Sequence, residues 1–157
     1  MQKITPFLWF NANAEEAVEF YVPTFANSKI LNTSRYGDAG PGPKGSLMVA
    51  TFQLEGQEFM AINGGPTYRL TPAISLLVNC ETQAEVDTLW DKLATGGAQQ
   101  QCGWVQDKFG LSWQIIPTVL GRLMADKDPK KAGSVMQAML KMHKIDIAAL
   151  KRAYEAA

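Results

Sequence analysis

The side chains that most often carry catalysis or bind metal ions are scarce in this chain of 157 residues. It has one histidine, His143, and two cysteines, Cys80 and Cys102, which lie 22 positions apart. Zinc sites and disulfide frameworks need more ligating side chains at closer spacings. His143 lies near the end of a predicted helix, beside Lys141 and Lys144, and the helix dipole favours a solvated histidine there. A catalytic dyad that uses His143 is therefore the less favoured interpretation.

A glycine-rich segment, Gly40 to Gly45, has the G-x-G-x-x-G spacing of dinucleotide-binding motifs. In those motifs the glycines open a helix whose N–H groups bind the pyrophosphate. Here Pro41 and Pro43 lie between the glycines, and a strand is predicted to follow. Lys44 precedes the last glycine, whereas the lysine of a phosphate-binding loop follows it. We interpret residues 37–45 as a loop without a nucleotide site, and the sequence offers no other strand–glycine–helix context for a methyl donor.

The composition is that of an ordinary globular chain, with 46% hydrophobic and 19% charged residues. Fifteen basic residues balance 15 acidic ones, and this neutrality disfavours nucleic acid as a partner. The N-terminal residues lack an apolar signal segment, and every apolar run is far shorter than the ~20 residues of a membrane span. We expect a cytoplasmic protein with reduced cysteines, no cofactor and no membrane or nucleic-acid partner.

Hydrophobic alternation and turn residues predict two similar units. In the first, a helix follows the opening strand and Pro23 limits its length. The predicted elements are a strand at 4–10, a helix at 14–21, strands at 28–36 and 46–54, a hairpin turn at 55–57 and a strand at 58–62.

The same order restarts near residue 73. A strand at 73–78 is followed by a helix that Thr82 and Glu85 start as a capping box and that runs to about Ala94. Further strands are predicted near 98–106 and at 112–116, joined by a turn at 107–110. The halves match at a shift of 69 positions, with Phe7 on Leu76 and Tyr21 on Trp90, which indicates a duplicated strand–helix–strands unit.

The last 40 residues form a predicted helical tail. Asp128 with Pro129, and later Asp146, are helix-start signals. The first tail helix carries an apolar stripe of Val135, Met136, Met139, Leu140 and Met142. We expect this stripe to pack against the rest of the chain or against a second subunit.

Three segments resemble the PhnB-like branch of the vicinal oxygen chelate superfamily, which includes glyoxalase I, bleomycin-resistance proteins and extradiol dioxygenases. They are LWFNANAEEAVEFY at 8–21, NGG at 63–65 and CGWVQDKFGLSWQIIP at 102–117. The resemblance covers nearly the whole chain and implies an α+β fold of two βαβββ modules that form an incomplete barrel, plus C-terminal helices. The single domain then consists of module one at about 1–66, module two at about 73–117 and a helical tail at about 118–157. This branch often carries a demethylubiquinone methyltransferase-like label.

Metal-binding enzymes of this superfamily carry His and Glu ligands on barrel strands, and this sequence departs from that pattern. Gln114 stands where such relatives typically have Glu. Glu58, at the start of its strand, is the one carboxylate among the corresponding positions. Divalent transition metals favour charged oxygen or imidazole ligands, so we expect no bound metal.

The resemblance also implies a pocket for a small molecule. Trp9, Met60 and Trp104 lie on predicted strands, and Asn63, Cys102 and Gln114 are the candidate polar groups; these six are the predicted ligand-binding residues. Strand alternation places Trp113 with Ile115 on one face and Gln114 with Ile116 on the other. If the superfamily position holds, Gln114 faces the cavity and Trp113 the helices. The alternative is that the Trp side chains simply fill the core.

We therefore expect a small-molecule-binding protein or a metal-independent enzyme, which the resemblance implies is a homodimer. The alternative is a non-catalytic dimeric protein that sequesters its ligand. A metal-dependent glyoxalase or dioxygenase, or a methyltransferase, is less favoured.

Overall fold

The computed structural model describes residues 2–157 and divides into two compact units, one ending at Leu70 and the other beginning at Thr71. The first unit has one helix and four strands. These are β1 (Phe7–Phe10), α1 (Ala14–Thr24), β2 (Lys29–Arg35), β3 (Leu47–Leu54) and β4 (Gln57–Asn63).

The first sheet has the strand order β1-β4-β3-β2, with β1 parallel to β4 and the other pairs antiparallel. One face is buried: Leu8 pairs with Ala61, and Phe52 pairs with Phe59, whose ring it stacks on at 5.7 Å. Helix α1 contacts this sheet and buries its own apolar side. The opposite face, which we call the open face, carries Trp9 and is less buried.

The second unit repeats this order and then adds three helices. Its elements are β5 (Ser75–Cys80), α2 (Gln83–Ala94), β6 (Ala98–Gln99), β7 (Trp104–Gln106), β8 (Ser112–Pro117), α3 (Thr118–Met124), α4 (Pro129–Leu140) and α5 (Ile147–Glu155). The sheet order β5-β8-β7-β6 repeats that of the first sheet, again with a parallel first pair. The α+β fold of two βαβββ modules with C-terminal helices is confirmed. Within residues 2–157 the strands form two separate four-stranded sheets and no closed barrel.

Helix starts follow the local chemistry of the sequence. The Thr82 hydroxyl accepts a hydrogen bond from the Glu85 backbone N–H at 3.2 Å. The Glu85 carboxylate accepts one in return from the N–H of Glu81 at 2.9 Å. Asp128 and Asp146 cap α4 and α5 as predicted, because their carboxylates accept hydrogen bonds from the N–H groups of Lys130 and Ala149.

Helix α1 runs further than predicted, through Pro23 to Thr24. Proline in the last turn removes only one backbone hydrogen bond, which the short remainder of the helix tolerates. The Thr24 hydroxyl also donates to the Phe20 carbonyl at 2.7 Å, which holds the final turn in place.

The prediction for the first tail helix was wrong about where the helix ends. Helix α4 ends at Leu140, so Met142 and His143 lie beyond it, and His143 is exposed. Val135, Met139 and Met142 of the predicted stripe pack with Leu120, Ile145 and Leu150. Met136 and Leu140 are exposed in the single chain, so their packing against a second subunit stays a prediction. No helix within residues 2–157 is both long enough and apolar enough to cross a membrane.

Candidate functional site

A cavity of about 320 Å³ lies in the first unit, where β1 and β4 end. Three segments enclose it: the turn between β1 and α1, the loop between β2 and β3, and the turn after β4. The lining residues are Asn11, Ala12, Tyr36, Pro41, Gly42, Pro43, Ser46, Asn63, Gly64, Gly65 and Pro66. Every side chain in this lining is uncharged or apolar.

Tyr36 and Asn63 are joined at the base of the cavity. The Tyr36 ring is 6% exposed, and its hydroxyl donates to the Asn63 carbonyl oxygen at 2.5 Å. Asn63 Oδ1 accepts from the N–H of Ala14 at 2.8 Å, and its Nδ2 donates to the Leu47 carbonyl at 3.1 Å. The Asn63 amide therefore fixes the end of β4 to the start of α1 and to β3.

The loop between β2 and β3 folds against the ring of Tyr36. Backbone hydrogen bonds close its base, from the Tyr36 N–H to the Ser46 carbonyl at 2.9 Å and from the Gly45 N–H to the Tyr36 carbonyl at 2.8 Å. The Ser46 hydroxyl donates to the carbonyl of Pro43 at 2.5 Å. A Cβ at Gly42 would lie 2.3 Å from the Tyr36 ring, so only glycine allows this close approach.

Trp9 supports the turn after β4. Its indole N–H donates to the Gly65 carbonyl at 2.9 Å, and a Cβ at Gly64 would meet its ring at 2.3 Å. The ring of Tyr68 contacts Trp9 edge-on, with centroids 5.0 Å apart. The NGG segment is therefore a turn packed on a tryptophan, and its glycines permit that contact.

The six predicted ligand-binding residues fall into two groups, one in each unit. In the first unit, Asn63 lines the cavity, Trp9 braces the adjoining turn, and Met60 is half-buried on the open face of β4. Of these three, only Asn63 is among the residues that line the cavity.

In the second unit, Trp104 and Gln114 are paired neighbours on β7 and β8. Gln114 Nε2 donates to the Ser75 hydroxyl at 2.9 Å. Trp113 is 2% exposed, whereas Gln114 on the opposite face is half-buried, as strand alternation predicts. Cys102 lies in the loop before β7 with a positive φ of 59°.

Sequence reasoning missed Tyr36, Asn11 and Ser46, and it assigned no role to the glycine–proline loop. The signal for the loop was present, because glycines and prolines were dense between two strands. The packing of this loop on Tyr36 was missed because no hydrophobic alternation or turn motif in the sequence indicates which ring the loop will contact.

The described residues do not fit a divalent metal. In the second sheet we likewise call the less buried face, which carries Gln114, the open face. On β1, β4, β5 and β8, the open faces carry apolar or neutral polar side chains, apart from Glu58 at the start of β4. Within residues 2–157, no three His, Cys, Asp or Glu side chains form a group that could hold a metal ion. A single carboxylate is a poor donor set for a transition metal.

Comparison with known proteins identifies the family. Residues 2–116 match the family model described as 3-demethylubiquinone-9 3-methyltransferase. A PhnB protein from Bacillus cereus is 45% identical with a TM-score of 0.70, over 74% of this chain and 100% of its own. This chain therefore belongs to the PhnB-like family that this model describes.

Two further solved structures are similar. A protein from Pseudomonas aeruginosa is 25% identical with a TM-score of 0.63, over 74% of this chain and 98% of its own. A glyoxalase/bleomycin resistance protein from Albidiferax ferrireducens is more distant, with 12% identity and a TM-score of 0.45, over 71% of this chain and 95% of its own. The comparison with curated proteins finds no match.

Proposed function

We propose that this protein binds a small organic molecule in the cavity of its first unit, and that any reaction there proceeds without a metal ion. The cavity carries this proposal, because a volume of about 320 Å³ lies at the lower end of the ~300–1,000 Å³ of ligand pockets. Its lining combines three prolines and an aromatic ring with a few fixed polar groups.

The chemistry of the lining favours an uncharged ligand with an apolar body. Pro41, Pro43 and Pro66 offer apolar surface, and the Tyr36 oxygen retains lone pairs that can accept a hydrogen bond. Both ends of the Asn63 amide are already bound to backbone groups. Asn63 therefore acts as a positioning residue for Tyr36 and the turn.

Chemical-shift mapping by NMR tests where ligands bind. Uniformly ¹⁵N-labelled protein is titrated with a set of neutral fragments small enough for the cavity. We expect the amide signals of Gly42, Gly64 and Gly65 to shift first. Binders that shift only signals of the second unit would contradict the proposed site.

Catalysis in this cavity would depend on Tyr36, because it is the one ionisable side chain among the lining residues. A sequestering protein would bind the same ligand without changing it. Long incubation of protein with a bound fragment, followed by product analysis, separates the two. Loss of turnover in Tyr36→Phe or Asn63→Ala would favour an enzyme, whereas unchanged ligand would favour sequestration.

The methyltransferase description belongs to the family model, and this chain offers little support for that activity. S-adenosylmethionine sites of the Rossmann type use a glycine-rich strand-to-helix junction. Within residues 2–157, three strands lead into a helix, at Asn11–Asn13, at Glu81–Thr82 and directly from Pro117 to Thr118, and none of these junctions contains glycine. We propose that S-adenosylmethionine does not bind, and heat released on titration with it would refute this.

A homodimer is the proposed assembly. Leu140 is 54% exposed, and Met136 lies one helical turn before it on α4. A second copy that covered these side chains would bury apolar surface that now faces solvent. Sedimentation velocity should show a dimer that weakens in Leu140→Glu. A monomer at every concentration would end this proposal.

A cytoplasmic location is also proposed. Both cysteines are free thiols, and burial raises the pKa of Cys80 to about 12, which keeps it in the unreactive thiol form. Free thiols are usual in reducing compartments. Fractionation of cells that express a tagged copy tests the location.

A further inference from the structure

The two units share a layout, so each has the same three segments around the ends of its parallel strands. In the first unit, the turn between β1 and α1, the β2–β3 loop and the turn after β4 enclose the cavity. Their counterparts in the second unit are the turn between β5 and α2, which leads into Gln83, the loop at 100–103 and the end of β8. This counterpart position is filled by the chain itself.

The loop at 100–103 binds the backbone of the tail. The N–H of Cys102 donates to the Met142 carbonyl at 2.8 Å, and the N–H of Gly103 donates to the His143 carbonyl at 2.8 Å. Two consecutive carbonyls of the tail thus accept hydrogen bonds from two consecutive N–H groups of the loop.

The start of α2 holds the same tail segment through a single side chain. Gln83 Nε2 donates to the Ile145 carbonyl at 3.0 Å, and Gln83 Oε1 accepts from the N–H of Ile147 at 2.8 Å. Both polar atoms of this amide are therefore bound to tail backbone. Lys144 adds an ion pair to Asp87 at 3.0 Å.

Ile145 is the apolar anchor of the segment. Its side chain is fully buried and lies against Gly103, where an added Cβ would come within 3.1 Å of it. The same Cβ would lie 2.8 Å from Ile116, near the end of β8. The absence of a side chain at Gly103 makes the space that Ile145 fills.

The tail lies outside the part of the chain that matches the family. The family model ends at residue 116, and the whole Bacillus cereus protein matches only 74% of this chain. The segment that fills the second position is thus an addition to the matched domain.

We propose that residues 142–147 act as a resident peptide ligand, which occupies the second unit's counterpart of the cavity. The site holds the backbone of this segment through the N–H groups of Cys102 and Gly103 and the amide of Gln83, with Ile145 as its anchor. It is a site for peptide, in contrast to the small-molecule cavity of the first unit. This inference is independent of the proposed function, because tail docking is measurable without any small ligand.

Native-state hydrogen exchange on the wild-type protein tests the proposal directly. A resident ligand should dissociate while the sheet stays folded. When the tail dissociates, the amides of Cys102 and Gly103 should become exposed together. Their hydrogen-exchange rates should then be at least about tenfold higher than that of the Ile115 amide in β8. If Cys102 and Gly103 exchange only in the global unfolding that exposes Ile115, the tail belongs to the core and the proposal is wrong.

Thiol labelling in variants gives a second readout. Ile145→Ala removes the anchor and should raise the labelling rate of Cys102 about tenfold, while buried Cys80 stays slow. Ile74→Ala is the matched control, since it truncates an isoleucine of the same unit that is 73% exposed. A synthetic peptide of residues 140–148 should slow Cys102 labelling in Ile145→Ala again. Equal labelling rates of Cys102 in both folded variants, or no effect of the peptide on that rate, would overturn the proposal. If Ile145→Ala does not fold, hydrogen exchange on the wild-type protein decides.

Discussion

The indole N–H of Trp113 donates a hydrogen bond to the Asp107 carboxylate over 2.9 Å, and both residues are almost fully buried. The other carboxylate oxygen accepts from the backbone N–H groups of Phe109 and Leu111 at 2.8 and 3.0 Å. One side chain thereby closes the turn between β7 and β8 and fixes a core tryptophan. Because side chains alternate along a strand, fixing Trp113 inward also places Gln114 on the open face.

Asp107→Asn should destabilise the protein. An amide has a single acceptor oxygen and places an NH₂ group against donors, so at least one buried hydrogen bond is lost, at a cost of about 2 kcal/mol. Urea denaturation measures the free energy of unfolding. Asp128→Asn is the control, because asparagine caps helices about as well as aspartate and this substitution should be nearly neutral. Equal stability of the two variants would show that the Asp107 interactions contribute little.

Gly42→Ala should disturb the cavity while leaving the sheets intact. The new methyl group would overlap the Tyr36 ring, so the loop or the ring must move, at a cost of about 1–3 kcal/mol. Gly37→Ala in the same loop meets nothing within 4 Å and should be neutral. Denaturation curves and fragment titrations of both variants check this. Unchanged fragment binding in Gly42→Ala would argue against a cavity formed by this loop.

Acid should weaken tail docking through Asp87. Hydrogen bonds from Gln83 and from Lys144 lower the pKa of Asp87 below its ordinary value of 3.8. A carboxyl with a lowered folded-state pKa stabilises the fold above its unfolded-state pKa, and this contribution is lost as pH falls through the folded-state value. From about pH 5 downward, the wild type should therefore lose stability more steeply than Asp87→Asn. Superimposable pH profiles of unfolding free energy would contradict this assignment.

Purified protein should contain no stoichiometric transition metal. Glu58 is the one carboxylate on the open faces of β1, β4, β5 and β8, and Gln114 provides only a neutral amide. Elemental analysis after dialysis measures nickel, zinc, manganese and iron per chain. One equivalent of any of them would show that the donor set described above is incomplete.

Much of the fold follows from local patterns in the sequence. The capping box of Thr82 and Glu85 predicts where α2 begins, and alternation in β8 predicts the opposite faces of Trp113 and Gln114. Both depend on residues a few positions apart. The repeat of strand and helix signals then yields two βαβββ modules.

The cavity was less accessible to sequence reasoning because its contacts are long-range. Asn63 was identifiable as a polar residue at the end of a strand, but its partner Ala14 is 49 positions away. Tyr36 binds the carbonyl of the same Asn63 across 27 positions. Nothing near Tyr36 in the sequence indicates that the glycine–proline loop will fold over its ring.

If a small molecule binds in the first-unit cavity, a variant in which a large side chain fills the cavity opening should no longer bind it. Ala12 is exposed at the rim of the cavity, so Ala12→Trp should fill the opening. Ala26→Trp places the same side chain on an exposed residue of the same unit that does not line the cavity. Fragments that bind the wild type in an NMR screen should bind Ala26→Trp equally and fail to bind Ala12→Trp. Equal binding to both variants, or no fragment that binds the wild type, would contradict the account.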